Sequence, residues 1–397
     1  MMAKYQYMPL NDNVGEMFIG PFGSSLKNDS FVDENNAFCM VYEQKHAIQK
    51  TMNVETRFVN REKYEELKRF NIQGGDIIVS CRGTIGETYI VPDDAPLGIM
   101  HPSIMKIRLK PGVYNKQYFN LLLQNYLKRH EDEVNGSGIK MAISAKELGA
   151  VLFPVPDMAE QNWIASVFNQ VEELIALRKA QLEKLDKLVK SRFIELFGET
   201  ETNPYGWEVA TVGAVCSSIV RGPFGSTLKK EFFVEPDETT FKVYEQKHAI
   251  QKSATIGTYY VTTEKFQELR RFECVAGDIL MSCSGTMGEL YRLPGGCERG
   301  LINQALCKFT LNERILPIVF LAYMKQTIGN LETKGSGIQN IAAVSYVKAM
   351  PINLPPMDVQ EQFAAFVEQT DKSKLAIQQS LEKLETLKKA LMQQYFG

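Results

Sequence analysis

Tyr42-Glu43-Gln44-Lys45-His46-Ala47-Ile48-Gln49-Lys50 returns letter for letter at residues 244–252, a shift of 202 positions (42 to 244). Upstream, Gly20-Pro21-Phe22-Gly23-Ser24-Ser25-Leu26-Lys27 returns at the same shift as Gly222-Pro223-Phe224-Gly225-Ser226-Thr227-Leu228-Lys229, with one Ser-to-Thr change. Downstream, Gly75-Asp76-Ile77-Ile78-Val79-Ser80-Cys81-Arg82-Gly83-Thr84-Ile85-Gly86-Glu87 returns as Gly277-Asp278-Ile279-Leu280-Met281-Ser282-Cys283-Ser284-Gly285-Thr286-Met287-Gly288-Glu289. Three blocks in constant register define a tandem duplication. The period is longer than the roughly 20–50 residues of solenoid repeats, so each copy is a whole domain together with the segment C-terminal to it. Two similar modules on one chain imply a target with two similar halves.

Composition bounds the class without choosing a partner. The 397 residues are 44% apolar and 23% charged, ordinary for a globular chain, and each half is long enough to bury its own core. No apolar run approaches the roughly 20 residues needed to cross a bilayer. The opening Met1-Met2-Ala3-Lys4-Tyr5-Gln6-Tyr7 does not read as a signal peptide. The expectation is a cytoplasmic protein with no membrane partner. The seven cysteines are scattered without C-x-x-C spacing, which favours free buried thiols over zinc sites or disulfides. A net charge of −2 still permits a local basic stripe for nucleic acid. Acidic runs such as Glu199-Thr200-Glu201 and Glu235-Pro236-Asp237-Glu238 offset basic spots at Lys229-Lys230 and Arg270-Arg271.

Both halves run the same way, a mixed Gly-punctuated stretch and then a long helix. The expected architecture is α+β. Two tandem globular domains at 1–156 and 199–356 alternate with spacer helices at 157–198 and 357–397, which pack as an antiparallel coiled coil about a pseudo-twofold axis. Residues 76–80 and 104–109 read as strands, from a continuous apolar run and from alternation. Residues 118–130 have helical spacing and close on Lys128-Arg129-His130, a basic turn suited to a helix C-terminus. Asp157 with Glu160, and Asp358 with Glu361, form D-x-x-E start signals for the long helices, and Glu160-Gln161 matches Glu361-Gln362.

The apolar stripes Leu182, Leu185, Val189, Leu196 and Leu381, Leu384, Leu391, Tyr395 have three–four seam spacing. Glu183 with Lys187, Asp186 with Lys190 and Glu385 with Lys389 are favourably ordered i,i+4 pairs. About 38 helical residues make a rod of roughly 57 Å, long enough to hold two modules one duplex turn apart, about 34–36 Å.

Motifs for chemistry are missing. There is no phosphate-binding G-x-x-x-x-G-K-[ST], and Gly136-Ser137-Gly138 and Gly335-Ser336-Gly337 fail the dinucleotide pattern. Asn203-Pro204-Tyr205-Gly206 lacks the second proline of an amino-methyltransferase loop and reads as a linker turn. Cys81 lacks the arginine that would close a phosphatase-like thiol loop and reads as a buried cysteine beside a turn. The chain is expected to catalyse nothing.

The order module–helix–module–helix carries G-P-F-G-S, G-D-I-x-x-S-x-x-G-T-x-G, G-S-G-I and a helix opening at P-x-x-x-E-Q. It resembles the specificity subunit of type I restriction–modification systems over essentially the whole chain. The resemblance implies two target-recognition domains joined by two spacer helices and a bipartite double-stranded DNA target. It also implies two methyltransferase subunits and two restriction/translocase subunits as partners. S-adenosylmethionine, ATP and Mg²⁺ then belong to those partners, and this chain needs no cofactor. Alternatives are the specificity subunit of a related multisubunit methyltransferase–nuclease, and a two-domain protein adaptor that binds no DNA.

Major-groove reading needs Arg, Lys, Asn, Gln or Ser/Thr on a stiff loop. That requirement selects Ser24, Ser25 and Lys27 in the first module and Ser226, Thr227, Lys229 and Lys230 in the second. From the identical block it selects Gln44, Lys45, His46, Gln246, Lys247 and His248. Positions that differ between the copies bear on sequence choice: Arg82 against Ser284, His101-Pro102 against Asn303-Gln304, and Lys140 against Gln339. Copies this similar predict similar half-sites in a partly inverted repeat.

Overall fold

The computed structural model describes residues 5–21, 25–82, 84–135, 144–224, 227–333 and 343–397. Ser24, Lys140, Ser226, Gln339 and the G-S-G turns lie outside the described residues. The chain divides into two compact units, Met1–Leu177 with Ser380–Gly397, and Arg178–Gln379.

In the first unit, strands Val14–Ile19, Ile104–Leu109, Ile77–Ser80 and Thr88–Ile90 lie side by side in one antiparallel sheet. A second sheet orders Phe58–Val59, Cys39–Tyr42, Gly98–Met100 and Asn71–Ile72, its central pair parallel. Gln6–Pro9 pairs antiparallel with Leu152–Val155. The run Ile77-Ile78-Val79 is continuously apolar because both of its faces are covered. Ile77 and Val79 join a core with Tyr118, Phe119 and Leu123 of helix Lys116–Asn135, while Ile78 joins Tyr42, Met100 and Ile104.

The second unit repeats this element by element. Its sheets order Cys216–Arg221, Leu306–Leu311, Ile279–Ser282, Leu290–Arg292, and Tyr260–Val261, Phe241–Tyr244, Gly300–Ile302, Glu273–Cys274. The irregularity between Val14 and Glu16 recurs between Cys216 and Ser218. The strands expected from the sequence are thus present in both copies.

Three readings of the helices need correction. Lys128-Arg129-His130 does not end its helix, which runs on to Asn135, because Glu131 to Val134 add no breaker. Asp157 caps as expected, accepting from the Glu160 N–H at 2.8 Å. Asp358, by contrast, lies inside the first turn of helix Met357–Phe396, where its charge faces the helix N-terminus.

The match of Gln161 with Gln362 is two residues out. Gln161 accepts from the Asn115 N–H and donates to the Val113 and Pro156 carbonyls. Gln360 makes the same three bonds with Leu316, Arg314 and Pro355. The long helices Met158–Phe197 and Met357–Phe396 are therefore 199 positions apart (158 to 357) rather than the 201 of that match (161 to 362).

Each long helix contributes to both units. In the first unit, Ile164, Ala165 and Phe168 share a core with Phe396, and Glu172 pairs with Lys388 at 2.8 Å. In the second, Phe193 and Phe197 pack on Phe363, and Asp186, expected to pair with Lys190, pairs with Lys374 at 2.6 Å. Within each unit the partner number falls as the other rises, so the paired segments run antiparallel. The seam residues named from the three–four spacing are half-buried, and their i,i+4 charges lie on the exposed faces.

Candidate nucleic-acid interface

The duplicated blocks, far apart along the chain, meet at one end of the two sheets. Strands Val14–Ile19, Cys39–Tyr42, Ile77–Ser80 and Gly98–Met100 all deliver their C-terminal ends there. The His101 N–H donates to the Tyr42 carbonyl (2.8 Å), Cys81 to Ser103 (2.8 Å) and Gly20 to Ile104 (3.0 Å). The second unit uses Asn303 to Tyr244 (2.9 Å), Cys283 to Ala305 (2.8 Å) and Gly222 to Leu306 (2.9 Å). Gly20 and Gly222 are glycine because a Cβ would collide with the carbonyl oxygen of His101 or Asn303. In each unit, the described residues of loops 20–27, 43–50, 81–87 and 101–103, or of their counterparts, form one platform.

What the copies share serves to build this platform. Ser80 and Ser282 accept the Glu87 and Glu289 N–H groups on Oγ, closing the intervening loop, whose Gly86 and Gly288 take φ of 87° and 85°. Glu43 and Glu245 cap the short helices Gln44–Gln49 and Gln246–Ile250, with His46 and His248 returning a bond to the cap N–H. Burial opposes ionisation of Glu43, but hydrogen bonds from Arg57 and Lys45 hold its carboxyl below the usual value. Lys50 and Lys252, at φ of 52° and 51°, reach Glu87 (3.3 Å) and Glu289 (2.5 Å), tying one block to another.

His46 and His248, selected as DNA contacts, are fully buried, and each ring caps a helix instead of facing solvent. Lys45 and Lys247 remain partly exposed and pair with the capping carboxylates at 3.0 and 2.5 Å. Gln44 and Gln246 are half-buried, and Gln246 accepts from the Ser284 hydroxyl at 3.4 Å. Charges that look surplus in an internal segment thus have internal partners. Cys81 is equally enclosed, its thiol pushed up to about 12 by burial. A thiol so rarely ionised is a poor nucleophile.

The exposed residues of the platform include positions the copies share, such as Lys27 and Lys229 or Thr84 and Thr286, and positions in which they differ, such as Arg82 and Ser284. Arg82, Ser284, Lys27, Lys229, Lys230 and Gln304 are exposed, whereas Ser25 and Thr227 are half-buried, Thr227 donating to the Phe224 carbonyl at 3.0 Å. Pro102, opposite Gln304, is buried. Sequence reasoning passed over Arg221 and did not select Phe224, whose ring is exposed. Arg221 precedes the shared G-P-F-G block where the first copy has Ile19, so comparing the flanks of that block would have found it.

Burial lowers the pKa of both capping histidines, against the raising effect of the Glu43 and Glu245 backbone bonds. The fold therefore holds them neutral while the unfolded chain takes up protons first. Stability is full above the unfolded value, about 6.5, and declines as pH falls through the lower folded values. Thermal melting from about pH 7.5 to about pH 5 should show a falling midpoint. A flat profile in that window would exclude this role for the histidines.

A platform of loops at one end of a paired-sheet module, duplicated along the chain and accompanied by long helices, defines a tandem recognition protein. A family profile described as the type I restriction modification DNA specificity domain matches residues 18–187 and 204–388. The chain belongs to this family of specificity subunits, which are non-catalytic components of type I restriction–modification systems.

It is 27% identical over 115 residues to the type I restriction enzyme EcoBI specificity subunit of Escherichia coli, covering 29% of this chain and 23% of that one. It is 25% identical over 156 residues to the MjaIX specificity subunit of Methanocaldococcus jannaschii, covering 36% and 35%. These alignments span only about a quarter to a third of those relatives. A chain solved in work on complex assembly and conformational transition of the type I R-M system shares the fold. It has a TM-score of 0.61 and 14% identity, covering 99% of this chain and 97% of that one. The S subunit from M. genitalium gives a TM-score of 0.51 at 14% identity, covering 98% and 96%. Among the described residues, no helix is long and apolar enough to cross a membrane.

Proposed function

We propose that each unit reads one half of a bipartite double-stranded DNA target, and that the chain performs no chemistry itself. It would hold two methyltransferase and two restriction/translocase subunits, which supply S-adenosylmethionine, ATP and Mg²⁺ chemistry. The observation that carries this reading is the platform. Its scaffold residues are the same in both units, while exposed positions such as Arg82 and Ser284 differ. A shared frame with varied exposed donors suits related but distinct half-sites. Lys27, Lys229 and Lys230, exposed beside the loops, suit phosphates. The remaining selected positions, Ser24, Lys140, Ser226 and Gln339, belong to the same proposal. The half-sites would be similar and partly inverted.

Two experiments test this reading. Arg82→Ala should weaken specific binding by about 1–3 kcal/mol if the guanidinium pairs bidentately with a base; an unchanged footprint excludes that assignment. Removing one helical turn, about 5.4 Å, from both long helices should shorten the nonspecific gap by one or two base pairs at about 3.4 Å each. Sequencing of modified bases reads the gap directly, and an unaltered gap removes the helices as its determinant.

A further inference from the structure

We propose that Arg221 is a base-reading residue of the second unit and occupies the role that Arg82 has in the first. The inference rests on the reading that each unit takes one half-site. By alignment the counterpart of Arg82 is Ser284, a short side chain, which would leave the second platform without an arginine at this point. The structure supplies one from another strand. Arg221 ends strand Cys216–Arg221, where the first unit has Ile19 at the end of Val14–Ile19.

The Arg221 side chain crosses to the neighbouring loops, with Nη2 donating to the Cys283 carbonyl (3.3 Å) and Nε to the Gln304 carbonyl (3.4 Å). Cys283 immediately precedes Ser284, as Cys81 precedes Arg82, so the two arginines converge on matching points of the platform. The electrostatic bearing agrees: Arg82 acts on Cys81 and Arg221 on Cys283.

Two further features mark this place as a contact surface. The guanidinium lies 5.2 Å from the ring centroid of Phe224, and that ring is 67% exposed. A phenylalanine left in water gains from covering by an apolar or π surface, such as a base or sugar. Gln304, whose carbonyl helps hold Arg221, is itself exposed and replaces a buried proline. Arginine, glutamine and an aromatic ring together are suited to read a base edge in the major groove, the planar guanidinium to guanine O6 and N7 above all. The same charge delivered from position 82 in one unit and 221 in the other would let similar platforms read related half-sites from different angles.

The test uses the full chain with a randomised duplex pool, from which the unaltered protein first selects its two half-sites. Arg221→Ala should reduce discrimination at the second half-site by about tenfold or more, with preference at the first unchanged. Arg221→Lys, which keeps the charge and loses the fork, should be impaired likewise, and Arg82→Ala should show the mirror image. Uniform weakening on all sequences, with Arg221→Lys behaving as the unaltered protein, would make Arg221 a phosphate anchor and overturn the proposal. A lower melting temperature with half-site preference intact would make it a brace between loops, with the same consequence. If the unaltered chain selects no sequence at all, the underlying reading of the units fails, an outcome distinct from any failure of Arg221.

Discussion

Phe363→Ala should destabilise the second unit by about 3–5 kcal/mol. Phe363 is fully buried, and its ring meets those of Phe193 and Phe197 at centroid distances of 5.7 and 5.2 Å. Phe193 in turn meets Tyr323, 6.0 Å away, of helix Pro317–Thr333. Truncation removes the transfer energy of the ring and leaves a cavity between two long helices that cannot close without moving both. Calorimetry should show the transition of this unit moving down by about 10 °C. The first unit, whose core is built on Phe168 and Phe396, should keep its own transition. A loss below about 1 kcal/mol would mean that the helices adjust freely, against the close packing seen here.

Arg108→Ala should cost a comparable amount in the first unit, about 3–5 kcal/mol. Asp76 is buried, with its two oxygens 2.7 Å from Arg108 Nε and Nη2, and its Oδ2 also accepts from the Gln73 N–H at 3.0 Å. Removing the guanidinium leaves a buried carboxylate without its main counter-charge. The second unit shows a milder solution: Thr310 donates to Asp278 at 2.5 Å and Lys308 lies 3.4 Å from it. Arg108→Thr, which copies that arrangement, should therefore retain more stability than Arg108→Ala in chemical denaturation. Equal losses for the two variants would show that the hydroxyl contributes nothing at this site.

The fold was legible where the sequence is doubled. Strand 77–80 stood out because a fully covered strand is apolar throughout, and 104–109 by an alternation whose polar Lys106 is itself buried and paired with Glu16. The long helices stood out because their periodicity is sustained over ten turns or so. Matching letters gave the register of the second helix at its far end, where Phe197 answers Phe396, but misled at its start. Glu361-Gln362 imitates Glu160-Gln161, but the buried bonds that select a glutamine are made by Gln360. Such bonds depend on groups 44 to 46 residues away. Local pattern does not carry that information.

The candidate site was legible as a set of blocks, but the allotment of work within it was not. The identical block at 42–50 suggested a charged surface facing DNA. Folding turns its glutamate and histidine inward as a cap and its last lysine toward Glu87. Arg221 escaped notice because its bonds to the Cys283 and Gln304 carbonyls cross to residues 62 and 83 positions away.

The sequence alone determined that there are two copies, that each is an α+β module with a long helix after it, and which family they resemble. These conclusions come from repetition and from the periodicities of strand and helix, both local properties of the chain. Tertiary structure decided which charges face inward, which loops meet at one end of the sheets, and that the first core is completed by the far end of the last helix. Those outcomes depend on burial and on distances between residues remote in sequence, which become defined only once the chain has packed.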